Sequence, residues 1–328
     1  PTEHRYLGEV HKWVTIFREE GMTMPWSEDY IFQMPVATQQ INNINLDLLR
    51  AGVRGKPNQK IHYYCMPHWP GQIPENWRRL FYGALGHGMQ VVNLFEFRPV
   101  HAAYTENHCS NPKTYRTVLR GFRELGLFEE IIQSGRKRPA KAALWFSETA
   151  DVWGDNDGSF TAGKRTLYSA IIHQGTPLDF IIEGGNLKNY RVLFLADAHV
   201  SRRDSEAIAA WVKAGGTLFA TAGAGMFDEL NQPNTVLRGV LGVSPAGLDA
   251  PASSFVGMVK QELPFAAPVD EIAGEPVSTP VYGVRSRVKL AGAKVQLQFK
   301  SGSPALTLHT HGRGQAHYAA FYKGPATG

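Results

Sequence analysis

One stretch of the sequence, residues 61–98, most limits the folds that are open to the chain. It begins with an apolar run at 61–66 that has the length of a buried strand, and a second such run occupies 91–98. Between them lies the segment 67–76, whose three prolines neither a helix interior nor a central strand tolerates. Residues 77–85 then carry apolar side chains at helical spacing. Strand, loop, helix and strand in this order predict a βαβ unit with parallel pairing.

The composition is that of an ordinary globular chain and argues against two classes of partner. The 328 residues are 43% hydrophobic and 19% charged, and the length predicts two domains of roughly 100–200 residues each. No apolar run approaches the ~18 residues of a membrane helix, so we expect no membrane partner. Part of the formal charge of +5 lies in the basic run 136–141, which has no stacking aromatics around it. We interpret this run as a linker and expect no nucleic-acid partner.

The first 135 residues alternate helix and strand. They read as helix, strand, helix, strand, helix, strand, helix, which is close to the last three βα units of a barrel and too few to close one. Helices are expected around 7–17, 46–49, 77–85 and 112–132, and strands at 22–26, 61–66 and 91–98. The chain begins with Pro1 rather than Met, close to the first expected helix, which we interpret as the sign of a fragment or a processed chain.

Beyond the linker the alternation restarts and predicts a second α/β domain with a parallel sheet. Ser201 and Asp204 resemble a capping box at the start of one of its helices. From residue 255 onward, short strands separated by turns replace the alternation. The expected strands of this half of the chain are 142–146, 178–182, 192–195, 217–221, 281–290, 295–299, 305–309 and 316–322.

Two parts of the sequence resemble a known family. Pro70-Gly71, Asn76-Trp77-Arg78 and Phe95-Glu96-Phe97-Arg98 are similar to the end of the barrel in glycoside hydrolase family 42 β-galactosidases. Trp26-Ser27-Glu28-Asp29-Tyr30 is similar to an acid-aromatic stretch on an earlier strand of that barrel. Residues 192–196 and 210–221 resemble the β-galactosidase trimerisation domain, with Asp228-Glu229 at the place of its acidic pair and with 303–305 and 312–316 similar to its closing strands.

The resemblance implies an α/β fold class in two parts. Residues 1–135 would be the C-terminal part of a (β/α)₈ TIM barrel, and 136–141 the linker. Residues 142–328 would be the trimerisation domain, with an amidotransferase-like (flavodoxin-like) fold and a β-rich closing segment. The implied activity is that of a β-galactosidase-type glycosidase that acts on β-linked galactosides or related sugars. The implied partners are a carbohydrate substrate and further copies of the chain in a homotrimer, in the bacterial cytoplasm or periplasm.

The sequence departs from the family at the position of the nucleophile. In the family a glutamate lies shortly before the Pro-Gly of the seventh strand, and here that position holds Met66-Pro67-His68. The family's general acid lies on the fourth strand, which the elements of this chain do not include. A non-catalytic carbohydrate-binding or scaffold protein that kept the fold therefore stands beside the glycosidase as an alternative hypothesis.

Two glutamates are the candidates for catalysis. Retaining glycoside hydrolysis needs two carboxyl groups about 5–5.5 Å apart, and Glu28 and Glu96 both follow predicted strands at the same rim. Either glutamate could instead be a rim acid that only hydrogen-bonds substrate or pairs with Arg98. Asp29 is more typical of an orienting acid or a helix cap than of a nucleophile.

Aromatic residues and a histidine are the candidates for sugar binding. Trp26, Trp69 and His68 suit a sugar platform, because the C–H faces of sugars stack on aromatic rings and their hydroxyls need fixed polar partners. Core packing is the alternative for both tryptophans. We expect the proline-rich loop to be stiff and to bring His68 and Trp69 into one pocket with the two glutamates and Arg98.

Other motifs point to no cofactor. His101, His108 and Cys109 match no strong metal-binding spacing, so no metal is expected. Gly223-Ala224-Gly225 is a lone Gly-x-Gly, more typical of a tight turn than of a nucleotide site. An amidotransferase would need a nucleophilic cysteine after the strand at 217–221, and none is present there.

Overall fold

The computed structural model describes residues 13–24, 26–28, 38–67, 73–94, 111–153, 158–249, 268–274 and 278–322. The chain divides into two compact units, with the boundary between Arg138 and Pro139. Each unit has its own sheet and its own core, and each is described separately.

The first unit is built on a small parallel sheet. Its strands are β1 (Trp26–Glu28), β2 (His62–Tyr64) and β3 (Val91–Asn93), and β2 pairs with both neighbours in parallel. The parallel pairing predicted for the βαβ unit is therefore confirmed. The helices are α1 (Trp13–Arg18), α2 (Thr38–Gly52), α3 (Pro74–Gly86) and α4 (Pro112–Ser134).

Several boundaries in this unit differ from the prediction, and proline explains two of them. The expected strand at 22–26 starts only at Trp26, and residues 21–24 form bends. Pro25 has no N–H to donate to a ladder, so pairing can start only after it. The expected loop 67–76 ends early, because Pro74 lies in the first turn of α3. The first helical N–H groups have no partner within the helix, so a proline is tolerated there.

The core of the first unit forms around Trp77. Its ring is fully buried and stacks on Phe81 with centroids 5.0 Å apart, and its Nε1 donates a hydrogen bond to the carbonyl oxygen of Cys65. Helix α4 approaches this ring at Gly121, where a Cβ would lie 3.1 Å from Trp77. The absence of a side chain at Gly121 lets α4 pack directly on the indole.

The second unit is built on a seven-stranded mixed sheet. The strand order is β12-β13-β14-β7-β6-β4-β5, in which β14, β7, β6, β4 and β5 are parallel and β13 pairs antiparallel with both β14 and β12. Its strands are β4 (Ala142–Phe146), β5 (Leu178–Ile182), β6 (Val192–Leu195), β7 (Thr217–Ala220), β12 (Lys294–Gln298), β13 (Pro304–His311) and β14 (Gly314–Ala319). Counted along the chain, the five parallel strands have the spatial order 2-1-3-4-5 of flavodoxin-like folds.

Among the described residues of the second unit, four helices and two further strand pairs lie outside this sheet. The helices are α5 (Glu148–Trp153), α6 (Gly158–His173), α7 (Arg202–Lys213) and α8 (Thr235–Leu241). The strand pairs are β8 (Val243–Asp249) with β11 (Arg285–Leu290), and β9 (Asp270–Ile272) with β10 (Thr279–Val281). The prediction of a single strand at 281–290 was therefore wrong. The chain bends at Gly283, so β10 and β11 pair with different partners.

Candidate functional site

The three strands of the first unit end at one edge of their sheet. The register aligns Glu28 with Tyr64 and Tyr64 with Asn93, and these are the last residues of β1, β2 and β3. Because the strands are parallel, this edge is the carboxyl edge, where parallel α/β folds place their functional residues. Glu28, Tyr64 and Asn93 are thus neighbours across the three strands, and their side chains carry a carboxyl group, a phenol and an amide.

An aromatic cluster lies on the face of this sheet that is turned away from helix α2. Tyr63 faces α2, because its hydroxyl donates a 2.7 Å hydrogen bond to the side chain of Asn42. On the opposite face, the Tyr64 ring lies 5.2 Å from that of Trp26 and 4.9 Å from that of His62. Trp26 is 37% exposed. A partly exposed indole that rests on a second ring can receive the C–H face of a sugar.

His62 is the buried end of this cluster. Only 9% of the residue is exposed, and burial lowers the pKa of its imidazole. Its Nε2 has no hydrogen-bond partner among the residues that the structure describes. The ring is therefore neutral at pH 7, and it contributes shape rather than charge to the cluster.

Of the residues predicted for the site, the structure places Trp26 at the first position of β1, with its ring against that of Tyr64, and gives the backbone position of Glu28 at the carboxyl edge. The side chain of Glu28 lies outside the described residues. The other predicted residues, Asp29, His68, Trp69, Glu96 and Arg98, also lie outside the described residues, and their roles stay predictions.

Sequence reasoning missed Tyr64 and Asn93 as members of this edge, and it missed His62 as a member of the aromatic cluster. The alternation along β2 was the available signal, because His62 and Tyr64 share a face that Tyr63 does not. At the family's nucleophile position, Met66 and Pro67 are buried, and Met66 has no exposed surface. In the described residues no three His, Cys, Asp or Glu side chains form a group that could hold a metal ion. None of the described helices combines the length and apolarity of a membrane span.

A second carboxyl edge, in the second unit, contains a buried ion pair. Ser147 follows β4 and Asp197 follows the neighbouring strand β6, at the point where the strand order reverses and where open α/β sheets bind ligands. Lys164 on α6 lies in this position, with its Nζ 2.6 Å from Asp197 Oδ1 and 4.3 Å above the ring of Phe146. The backbone N–H of Ser147 donates to the other oxygen of Asp197 at 2.8 Å.

The groups at this edge are bonded to one another. The Ser147 hydroxyl and the N–H of Thr149 both donate to Glu183 Oε1, at 2.8 and 2.9 Å. Burial raises the pKa of Asp197, and it would lower that of Lys164. The carboxylates of Asp197 and Asp151 more than offset this, so the pKa of Lys164 is raised. The lysine is charged at pH 7, and its ion pair lies at the switch point, where open α/β sheets bind ligands.

The segment after β7 forms a tight turn that contains two glycines. Gly223 and Gly225 both have positive φ, as a tight turn requires, and the N–H of Gly223 donates to the hydroxyl of Tyr318 at 2.9 Å. The predicted turn at 223–225 is confirmed, and no cysteine lies there to act as an amidotransferase nucleophile.

The fold and the two sheet edges define the class of this protein. It is an α/β chain whose first unit carries parallel βα units of a barrel and whose second unit is a flavodoxin-like domain with closing antiparallel strands. The family model of the β-galactosidase trimerisation domain matches residues 142–327, which is more than half of the chain. The chain belongs to this family.

Curated relatives and solved structures agree with this assignment. The chain is 26% identical over 268 residues to a β-galactosidase of Clostridium perfringens, Pbg, and 25% identical over 268 residues to one of Alicyclobacillus acidocaldarius, BglY. These alignments cover 73% and 72% of the chain and 37% of each relative. The chain thus spans well under half the length of the curated relatives that it matches.

The structural similarity extends over nearly the whole chain. A β-galactosidase from Bacillus circulans sp. alkalophilus superimposes with a TM-score of 0.76 at 19% identity, covering 94% of this chain and 48% of that chain. The family 42 β-galactosidase Gan42B from G. stearothermophilus gives 0.75 at 17% identity with the same two coverages. The predicted fold class, the late part of a TIM barrel followed by an amidotransferase-like domain, is confirmed.

Proposed function

We propose that the chain is part of a glycoside hydrolase of β-galactosidase type that acts on β-linked galactosides or related sugars. The single observation that carries this proposal is the carboxyl edge of the first sheet. There Glu28 aligns with Tyr64, and the Tyr64 ring contacts the partly exposed ring of Trp26, which lies two residues before Glu28 on β1. A carboxylate beside an aromatic platform is what a glycosidase needs to bind and cleave a sugar. The names of the curated relatives support the same reaction.

The proposed chemistry is retaining hydrolysis with two carboxyl groups. Glu28 is the last residue of β1 and Glu96 comes after β3 in the sequence, and these are the two outer strands of the three-stranded sheet. One would protonate the leaving oxygen and the other would attack the anomeric carbon, and water would then release the sugar. No cofactor takes part in this scheme.

Substrate binding is assigned to residues around the same edge. Trp26 would stack on the C–H face of the sugar, and the proline-rich loop would present Trp69 and His68 opposite it. Asp29 and Arg98 would hold hydroxyl groups. Residues 1–135 would thus belong to the catalytic domain, 136–141 to the linker and 142–328 to the trimerisation domain.

The second unit is proposed to assemble the protein as a homotrimer. The match of residues 142–327 to the trimerisation domain supports this role. The ligand position at its switch point holds the Lys164–Asp197 ion pair, which fits a domain that works through its surface rather than through a bound small molecule.

The catalytic assignment is tested by Glu28→Gln and Glu96→Gln in the full-length protein, with aryl β-galactosides as substrates. Loss of an acid, base or nucleophile should lower turnover by at least ~10²-fold. The melting temperature should change little, because rim acids are not core residues. Glu75→Gln serves as the matched control, since Glu75 is an exposed glutamate in the first turn of α3. Turnover that is unchanged in both variants would remove these residues from the mechanism.

A non-catalytic carbohydrate-binding or scaffold protein is the second candidate, and one observation favours it. The family's nucleophile position holds buried Met66 and Pro67, where no carboxylate is available. Binding of galactose or lactose that Trp26→Ala weakens by ~1–3 kcal/mol, with no hydrolysis of any aryl glycoside, would establish this function in place of the first.

A further inference from the structure

An exposed apolar patch lies on the second unit at the end of helix α5. It consists of Val152, Trp153 and Leu230, which are 44%, 49% and 61% exposed, and we call it the Trp153 patch. The indole Nε1 of Trp153 donates a 3.1 Å hydrogen bond to the carbonyl oxygen of Glu229, which joins α5 to the loop that carries Leu230. This hydrogen bond brings the exposed Trp153 next to the segment that carries the exposed Leu230, and exposed apolar groups gathered in one region are typical of interaction surfaces.

The patch is held rigid by a stack of three rings. Trp153 lies on His199 with centroids 5.8 Å apart and 15° between the planes, and His199 lies on Phe227 at 5.2 Å and 27°. The Nε2 of His199 is fixed by a 2.8 Å hydrogen bond with Asn231. The indole is therefore oriented before any partner arrives, and little side-chain freedom is lost on binding.

The polar groups beside the patch already have partners within the chain. Arg202 Nε donates to Asp228 Oδ2 at 2.7 Å, and the N–H of Arg202 donates to the Glu229 carboxylate at 2.7 Å. The other oxygen of Asp228 accepts from the N–H groups of Leu230 and Gln232. Each of these charged groups therefore keeps at least one partner within the chain when an apolar protein surface covers the patch. A sugar would instead need polar partners free to bind its hydroxyls.

We propose that the Trp153 patch anchors the contact between copies of this chain. The inference rests on the proposed homotrimer and names the surface that makes it. All three residues of the patch fall within the match to the trimerisation domain, residues 142–327. A threefold assembly uses a head-to-tail contact, in which the patch of one copy meets a different surface of the next. A rigid tryptophan with an arginine beside it is the composition typical of an interface hot spot.

The test compares two leucine substitutions in the full chain by light scattering and sedimentation over a range of protein concentrations. Leu230→Ser lies in the patch, and Leu290→Ser is the matched control, because Leu290 is 49% exposed at the end of β11. Leu230→Ser and Trp153→Ala should each weaken association by about 30-fold or more, as truncation of a hot-spot residue does. Leu290→Ser should associate as the wild type does.

Three results would overturn the proposal, and they are distinguishable. If Leu230→Ser and Trp153→Ala still form trimers, the proposed homotrimer stands but its contact lies on another surface. A wild type that stays monomeric at high micromolar concentration would remove the proposed assembly and this contact with it. Lactose that quenches tryptophan fluorescence in the wild type but not in Trp153→Ala, with no change in mass, would assign the patch to a sugar.

Discussion

Lys164 and Asp197 form a buried ion pair whose partners depend on each other. Their side chains are 10% and 2% exposed, so removal of the ammonium would leave a carboxylate in the interior. We expect Lys164→Met to lower the free energy of unfolding by about 3–5 kcal/mol, the cost typical of breaking a buried pair. Urea denaturation monitored by circular dichroism measures this loss. Lys188→Met, at an exposed lysine of the same unit, should leave the value nearly unchanged.

A variant in which both partners are replaced separates the cost of burying an unpaired charge from the net contribution of the ion pair to the free energy of unfolding. The double variant Lys164→Met, Asp197→Leu contains no isolated charge, so it should regain most of the stability that the single variant loses. A double variant no more stable than Lys164→Met would show that Asp197 acts mainly through its hydrogen bond from the N–H of Ser147.

At the scale of single residues, local patterns placed Trp26 and Glu28 at a strand end but did not indicate Lys164 as a partner of Asp197. Trp26 and Glu28 lie within one short strand, where the order of residues fixes their spacing. Lys164 and Asp197 are brought together by the crossover from α6 through β5 to β6, which depends on the strand order of the whole sheet. Periodicity carries no information on such a long-range pair.

Helices α3 and α4 are joined by a polar cluster around Glu124. Its carboxylate accepts hydrogen bonds from Tyr82, Arg78 and Arg120 at 2.6, 2.5 and 2.7 Å, and these lower its pKa to about 2. A carboxyl group with a depressed folded-state pKa stabilises the fold above its unfolded pKa, and this contribution is lost as the pH falls towards the folded value. Glu124→Gln should therefore melt below the wild type at pH 7.

The pH dependence distinguishes this contribution from simple packing. The difference in melting temperature between the wild type and Glu124→Gln should narrow as the pH falls from about 4.5 towards 2, because the wild-type carboxylate is then protonated as well. Scanning calorimetry at several pH values measures the difference. A gap that stays constant down to pH 2 would contradict the charge-based account.

Two glycines of helix α4 allow an internal comparison of packing with helix propensity. Gly126 is exposed and a Cβ there meets nothing within 4 Å, so Gly126→Ala should stabilise the unit by up to about 1 kcal/mol. At Gly121 a Cβ would lie 3.1 Å from the ring of Trp77, which its stacking and hydrogen bond hold in place.

Gly121→Ala should therefore be destabilising in spite of the same gain in propensity. Overpacking a buried site costs about 1–3 kcal/mol, so we expect a net loss of roughly 1 kcal/mol. Urea denaturation of both variants measures whether each substitution raises or lowers the free energy of unfolding. Stabilisation by both substitutions would mean that α4 can move away from the indole.

At the scale of elements, the sequence predicted strands best where apolar runs were continuous and flanked by polar residues. β4, β5 and β6 have the bounds that were expected, 142–146, 178–182 and 192–195. β8 was not predicted, because Pro245 and the positive-φ Gly247 interrupt its pattern. α8 was also missed, although Asn234 caps its start and the left-handed Gly242 ends it.

At the scale of the whole molecule, the two units have different proposed functions. The first unit would bind the sugar at its sheet edge, and the second would carry the surface for assembly. If the second unit associates through the Trp153 patch, folding and assembly are linked by mass action. Only the folded chain presents the patch, so association stabilises the folded state and the melting temperature rises with protein concentration. A variant that cannot associate has no such dependence.

We therefore expect the melting temperature of the wild type to rise over a hundredfold increase in protein concentration, and that of Leu230→Ser to stay constant. Leu290→Ser, with an equivalent loss of apolar surface outside the patch, should follow the wild type. At low concentration, where all three proteins are dissociated, their melting temperatures should converge, because Leu230 is exposed and its removal costs the isolated fold little. If the melting temperature of Leu230→Ser lies below that of the wild type by the same amount at every protein concentration, Leu230 acts on the stability of its own unit and not on assembly.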